Sequence, residues 1–583
     1  MAVLRTLLLG ALLLAASIRA HGAPHECAIE YRFTARWDEQ PRRFQVDVLF
    51  DAGKRTSTGL RIADQWGPVR DFGRAIRGVR PIAPSAVVSE GPDRGKAWTV
   101  DHPAGGRVHV RYELLNDVAN VDADTPLSHL DFYRTMLGAA WFQFYGHGAL
   151  LIPEEIDTEK PLSVCITFPG LPTQWAFASS HGEGRRGATI EIRARTSLHK
   201  LESSLFVGGD FRMYRRPVDG GKLVVALRGR WPFDDAKFVD TTAALVRVHR
   251  EFWSDRIPYY LISLIPNRVR RGETGGTGLY HAFAMHAGHD FTVPGPAFDH
   301  LIGHEDVHTW IPHRLGTTGD DEARQYWFSE GFTDYLAHRL LVTAGVWTLG
   351  DYAKYVDARI LLYEHSPVRN ATNAALARDF WKSPLAERMP YVRGELLGLR
   401  WARALAARGE SLQDALRSLL LPGEAAEDDG RNRADRLAAR RLVSALRVRL
   451  GASVDRDIAD YVEEGRTIPF TEDFLGPCFI GTAVPGPAFE LGFDASTLQS
   501  HIATGVVPGS AAERAGLREG MRLAFFRIDW RIDREVDLRV VDGDRMREVK
   551  YLPRGERQVE TYRYEPLPDA AQKPACRRWI EAR

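Results

Sequence analysis

The chain has 583 residues, 44% of them hydrophobic and 26% charged, too many for one core and ordinary for water-soluble globular domains. Lys plus Arg number 77 against 76 Asp plus Glu, a balance that argues against a nucleic-acid or membrane-surface partner held by net charge. Roughly two to four domains are expected at this length.

The N-terminus reads as a secretory signal peptide over residues 1–20. Met1 to Arg5 carries one positive side chain, Leu7 to Ala16 is a nearly unbroken apolar run, and Ala20 is a small residue suited to cleavage. The run falls short of the roughly 20 apolar residues a spanning helix needs. A buried N-terminal helix is the alternative. Cys27 follows Pro24, His25 and Glu26, which is no lipid-attachment pattern, and no later apolar run is long enough to cross a membrane. The expected location is the periplasm or the outside of the cell. The 4 cysteines, Cys27, Cys165, Cys478 and Cys576, have no CxxC spacing, which disfavours a cysteine metal site. Export permits disulfides. Pairing Cys27 with Cys165 and Cys478 with Cys576 keeps each bridge inside one expected domain; unpaired buried thiols are the alternative.

From Cys27 to Leu205 the chain reads as short strands. Cys27–Trp37, Arg43–Phe50, Arg107–Leu114, Leu162–Phe168 and Ala188–Ala194 are apolar, aromatic and β-branched, with Gly, Pro and Asp between them. No catalytic cluster is visible there. Phe206–Tyr214, Leu223–Leu227 and Tyr259–Ile265 read as further strands. Asp240–Trp253 reads as an amphipathic helix capped by Asp240. Phe298–Trp310, Gln325–Ala344 and Tyr391–Ala407 carry helical apolar spacing. Glu424–Leu450, dense in Arg and acids, reads as a solvent-facing helix with ion pairs. From Pro469 onward short strand patterns return.

His304-Glu305-Asp306-Val307-His308 is HExxH. On a helix both imidazoles lie on one face a turn apart and can bind one zinc, with Glu305 beside the open position as proton acceptor and donor. Five such residues are weak evidence alone. In Trp327-Phe328-Ser329-Glu330-Gly331-Phe332-Thr333-Asp334-Tyr335, Glu330 completes a His, His, Glu set with water in the fourth position, the open arrangement of catalytic zinc. Asp334, one turn further, is placed to accept a hydrogen bond from the non-metal nitrogen of a ligating histidine. Pro390-Tyr391-Val392-Arg393-Gly394 opens another helix, and the Tyr391 hydroxyl is a candidate donor to an oxyanion. The spacing of His281, His286 and His289 fits no single helical face, so they read as ordinary polar residues.

These motifs resemble the glycyl aminopeptidase family, PDZ-carrying gluzincin metallopeptidases. The resemblance rests on HEDVHTW at His304–Trp310, WFSEGFTDYLA at Trp327–Ala337, YVRG at Tyr391–Gly394 and ADYVEEGRTIPF at Ala459–Phe470. It implies a multidomain α+β chain: signal peptide 1–20, β-rich N-terminal domain 21–205, thermolysin-like and mostly helical zinc peptidase domain 206–470, and PDZ-like domain 471–583. It implies one Zn2+ per chain on His304, His308 and Glu330, with Glu305 as base and acid and Tyr391 as transition-state stabiliser. Arg393 stands where the related aminopeptidases have Lys. Phe489-Glu490-Leu491-Gly492-Phe493 would be the PDZ carboxylate-binding loop, able to capture a peptide C-terminus.

The resemblance also implies a Gly-rich edge segment with a Glu that holds the substrate amine. The matching residues Gly275 to Ala284 include Gly278 as a substrate-binding position, and Tyr280 stands where that Glu is expected. Tyrosine offers no carboxylate, which argues against aminopeptidase specificity. Glu273 lies just upstream. The expected activity is hydrolysis of peptide or protein substrates by a zinc-bound water activated by Glu305. The alternative is a catalytically weak peptide-binding protein that uses the PDZ-like module.

Overall fold

The computed structural model describes residues 27–581 apart from 68, 93–94, 123–126, 188, 268–273, 289–290, 294, 313, 320, 421–436 and 544. The expected signal peptide 1–20, Glu273 and His289 lie outside the described residues, as does the first part of the charged segment Glu424–Leu450.

Alternation of apolar and polar residues builds the N-terminal region. Strand Ile29–Arg36 buries Ile29, Tyr31, Phe33 and Ala35 and turns the residues between them outward. Arg107–Leu115 repeats the pattern with Val108, Val110, Tyr112 and Leu114, and Arg43–Asp51 pairs between the two in a seven-stranded sheet. Two four-stranded sheets and a two-stranded one, Gln65–Trp66 with Val69–Arg70, complete the region. Aromatic rings fill its core: Phe33 stacks on Phe168 at 5.1 Å and Phe44 meets Phe142 edge-on at 5.1 Å. Cys27 and Cys165 are disulfide-bonded, beside the parallel pair Ile29–Arg36 and Leu162–Phe168.

The segment expected as one strand, Phe206–Tyr214, is two: Leu205–Gly209 stays with the N-terminal sheets, and Arg212–Val218 starts a new five-stranded sheet. Gly209 sits at φ 120°, which lets the chain turn there. The new sheet runs Arg212–Val218, Gly221–Leu227, Tyr259–Pro266, Ala282–Ala287, Thr274–Leu279, so the Gly-rich Thr274–Leu279 is its edge.

Helices pack on this sheet. The first, Asp235–Trp253, starts more than a turn earlier than expected: Asp234, not Asp240, is the cap, its carboxylate accepting from the Ala236 and Lys237 amides. Pro296–Val307 carries His304 and Glu305, with His308 as its C-cap. The expected helix Gln325–Ala344 is broken at Glu330 into Tyr326–Ser329 and Gly331–Thr343. Leu349–His365 follows. The tyrosine helix runs Pro384–Ala406 and contains Pro390 in its interior rather than opening at it. Proline normally marks a boundary, but burial of Ala386, Met389 and Val392 in the core carries the helix through. Ala438–Leu450 is amphipathic rather than wholly solvent-facing, burying Leu442, Leu446 and Leu450.

At the C-terminal end Phe479–Phe489 pairs with Arg554–Pro566, and Arg522–Arg527, Val536–Asp542 and Arg545–Tyr551 form a three-stranded sheet. The Cys478–Cys576 disulfide and Trp579, whose ring lies 3.3 Å from the Arg339 guanidinium, bind this end to the helical core. The chain is therefore a multidomain α+β protein with a large β-rich N-terminal region and a helical region.

Candidate metal centre

The helical rungs of three segments meet at one point. His304 Nε2 lies 3.1 Å from His308 Nε2 and 3.2 Å from Glu330 Oε2, and His308 Nε2 lies 3.4 Å from that same oxygen. The other ring nitrogens are occupied. His304 Nδ1–H donates to Asp334 Oδ1 at 2.7 Å, and His308 Nδ1–H donates to the Ile311 carbonyl at 2.9 Å. This hydrogen-bond pattern assigns both protons to Nδ1. It leaves the two Nε2 atoms and a carboxylate oxygen facing one another. Burial raises the Glu330 carboxyl, but His308 and His304 outweigh it and hold it well below the carboxylate range.

The remaining sequence-derived residues fall around this point. Glu305 points toward the edge strand: the Gly278 N–H bonds to its carboxylate, and a Cβ on Gly278 would lie 3.4 Å from Glu305 Oε2. Burial pushes the Glu305 carboxyl up, against the pull of His308 and His304. The Tyr391 ring stacks on the His304 ring at 5.8 Å, and burial, then Glu330, keeps its hydroxyl protonated. Asp306, inside the motif, is turned away and pairs with His249 at 2.6 Å, locking the HExxH helix to Asp235–Trp253.

Tyr280 is placed differently. Tyr280 and His281 form the two-residue turn between Thr274–Leu279 and Ala282–Ala287, with His281 at φ 48°. The Tyr280 N–H donates to the Ser203 carbonyl at 2.8 Å, and its ring lies under the Lys200 ammonium at 5.3 Å and on the His281 ring at 4.0 Å. It packs on the N-terminal region rather than on Glu305. Arg393 also points away: its Nη2 donates to the Arg369 and Ala371 carbonyls at 2.7 and 2.8 Å. His286 is buried, stacked on Phe132 at 3.9 Å.

Two residues of the N-terminal region reach the edge strand, although its sequence shows no catalytic cluster. The Tyr133 hydroxyl donates to the Gly276 carbonyl at 3.0 Å, and Trp66 Nε1 donates to Thr277 Oγ1 at 3.2 Å. The contacts span 143 and 211 residues of sequence, beyond any local signal.

Residues 297–383 match the model of the M61 glycyl aminopeptidase family. That stretch contains both histidines, Glu305, Glu330 and Asp334, so the resemblance to the glycyl aminopeptidases, an aminopeptidase-like metallopeptidase family, is shown over the site segment. The fold is similar to that of an aminopeptidase N family protein from Idiomarina loihiensis: TM-score 0.69 and 15% identity over 95% of this chain and 100% of that one. An M1 zinc metallopeptidase from Deinococcus radiodurans aligns at TM-score 0.43 and 15% identity over 76% of this chain and 94% of that one. No curated protein matches the chain.

A second group, His300, Asp334 and His338, also has metal-ligand chemistry. It is filled from within. His338 Nδ1–H donates to Glu395 at 2.8 Å, so its Nε2 is the acceptor for His300 Nδ1–H at 3.0 Å. Arg359 already supplies a full positive charge to Asp334 at 2.5 Å. A further cation there would face that guanidinium at close range, which is repulsive.

Proposed function

We propose that the chain is an exported, zinc-dependent metallopeptidase that hydrolyses peptide bonds. One observation carries this reading: His304 Nε2, His308 Nε2 and Glu330 Oε2, each with a lone pair to offer once deprotonated, face one another at 3.1, 3.2 and 3.4 Å. A proton satisfies one such lone pair at a time; a divalent cation satisfies all three. Tetrahedral zinc with bonds of about 2.0–2.1 Å to N and O sets its ligand atoms roughly 3.3 Å apart, so these three residues would hold it.

Zinc in this position supplies Lewis-acid polarisation of the scissile carbonyl and acidifies water. Glu305 takes the proton from the attacking water on its carboxylate and passes it to the departing nitrogen. Burial raises its pKa, which favours a carboxyl that both accepts and returns the proton. The Tyr391 hydroxyl, protonated at all working pH values, donates to the oxyanion. Gly278 leaves the substrate backbone room beside Glu305, because even a methyl group there would come within contact of the carboxylate.

Three finer parts of the proposal have separate support. Export is supported by the two disulfides, which persist in oxidising compartments. No helix among the described residues is long and apolar enough to cross a membrane. Poor recognition of a free substrate amine is supported by Tyr280, which lies beside the Lys200 cation and offers no carboxylate. The PDZ-like assignment of 471–583 rests on the sequence resemblance. In its carboxylate-binding loop the Glu490 N–H already donates to the Pro553 carbonyl at 3.0 Å, which leaves fewer donors for a peptide terminus.

Metal analysis of the purified chain, joined to a chelator-sensitive cleavage assay on a mixed peptide library, tests the proposal. One zinc per chain and chelator-reversible cleavage are expected. A chain that cleaves with undiminished rate after complete metal removal is not a metallopeptidase.

A further inference from the structure

Behind the metal centre lies a chain of buried polar contacts that the resemblance to glycyl aminopeptidases does not assign. Asp334, which holds His304, accepts a second hydrogen bond from Arg359 Nη2 at 2.5 Å. Arg359 Nε donates to Glu395 Oε2 at 2.8 Å. The other Glu395 oxygen accepts from His338 Nδ1–H at 2.8 Å, and His338 Nε2 accepts from His300. The side chains of Asp334, Glu395 and His338 are exposed by 1%, 2% and 0%, so these three members are shielded from solvent and from salt, while Arg359 is 16% exposed. One guanidinium fork thus satisfies two buried carboxylates at once, a geometry lysine's point charge does not reproduce.

The network joins helices in register with the catalytic residues. Glu395 lies one turn after Tyr391 on Pro384–Ala406, and Asp334 one turn after Glu330 at the head of Gly331–Thr343. Arg359 comes from a third helix, Leu349–His365, and bonds to both. Removing one partner of such a network leaves the other charge buried and unpaired, which is strongly unfavourable and shifts the elements that carry it.

We propose that Arg359 and Glu395 are positioning residues that hold the Tyr391 helix at a set distance from His304, so that the phenol meets the oxyanion. The inference rests on the metallopeptidase reading and adds the residues that align its two halves. Neither residue touches the metal position or the substrate strand. Their effect on the reaction passes through the placement of Tyr391, with Asp334 and His304 as the anchor against which its helix is set.

A double-mutant cycle on the full chain tests this. Glu395→Gln is expected to lower kcat about tenfold or more, in the range seen when groups supporting a metal ligand are lost. KM and zinc affinity by chelator competition should each stay within about threefold of the parent, because the ligand set and the edge strand are untouched. In the Tyr391→Phe background the same change should cost less than about twofold, since the hydroxyl it positions is gone. Equal losses of kcat in both backgrounds would overturn the proposal. Arg359→Lys, which keeps the charge but cannot bridge both carboxylates, runs the same cycle with the same criterion if Glu395→Gln does not accumulate as folded protein. A parent chain that binds no zinc defeats the metallopeptidase reading and this inference together. A zinc-loaded, active parent with additive losses defeats this inference alone.

Discussion

Gly331 and Gly394 touch backbone to backbone. A Cβ on Gly394 would come 1.7 Å from the Trp327 carbonyl oxygen and 2.9 Å from Gly331 Cα; one on Gly331 would come 2.5 Å from Gly394 Cα. Gly331 follows the proposed ligand Glu330, and Gly394 lies three positions after Tyr391. The crossing of these two helices is what brings the carboxylate and the phenol to the same centre, and only residues without side chains permit it.

Gly394→Ala is therefore expected to be costly, because the obstructing atoms are backbone and cannot rotate away. Overpacking of this kind costs about 1–3 kcal/mol or more, and here it would also displace Tyr391. Thermal unfolding and kcat on the same preparation check this. An alanine variant with parental values of both would show that the helices can part without consequence.

Glu305→Gln should keep the metal and lose at least about a hundredfold in turnover, the usual worth of general-base catalysis. Gln is nearly isosteric and can still accept the Gly278 N–H, so the local structure should persist. Zinc content and kcat measured side by side decide the matter; near-full activity would remove Glu305 from the proton transfers.

Glu330→Ala should lose zinc and activity together, since two imidazoles alone hold zinc poorly. Asp334→Ala should weaken zinc binding by about tenfold or more, because His304 loses the acceptor that sets its tautomer and Arg359 loses a partner. Zinc content after dialysis against a graded chelator series reads both. Full retention by Glu330→Ala would take that residue out of the ligand set.

Peptides with an acetylated N-terminus should be cleaved at least as well as their free-amine counterparts. The turn that the resemblance aligns with the amine-holding Glu carries Tyr280, which packs on the N-terminal region beside Lys200 and supplies no carboxylate to the site. Paired kcat/KM values for one peptide in both forms provide the check. A strong preference for the free amine would mean that another acid anchors it, and Glu387, one turn before Tyr391 and within electrostatic reach of its hydroxyl, would be the first to replace with Gln.

Asp357 supplies a pH signature away from the metal. Burial raises its carboxyl from 3.8 to about 6, although it accepts the Tyr564 amide at 3.0 Å. A carboxyl raised on folding binds more protons in the native state than in the unfolded one. Stability at this position is therefore full below pH 3.8 and falls as pH rises toward about 6. Asp357→Asn keeps an acceptor for Tyr564 and removes the charge. It should raise Tm at pH 7, by the equivalent of about 1 kcal/mol or less after allowing for solvent screening, and leave Tm nearly unchanged at pH 4. A lower Tm at pH 7 would show that the charge itself strengthens the Tyr564 contact.

The parts of this protein that follow from local rules were legible in the sequence. HExxH on a helix and Glu330 with Asp334 one turn apart are statements about helical periodicity, and the structure brings the named side chains to one point. Strand alternation located most of the N-terminal sheet for the same reason. Propensity failed where packing overrode it: Pro390 sits inside a helix because its neighbours are buried. What only the tertiary structure decided is which distant residues complete the site. Tyr133 and Trp66 hold the edge strand across 143 and 211 residues, Arg359 joins Asp334 and Glu395 across 25 and 36, and Tyr280 is turned onto Lys200 by its place at a hairpin tip. Such contacts leave no periodic trace, because hydrogen bonds and ion pairs depend on separations in space, and sequence periodicity reports only neighbours along one element.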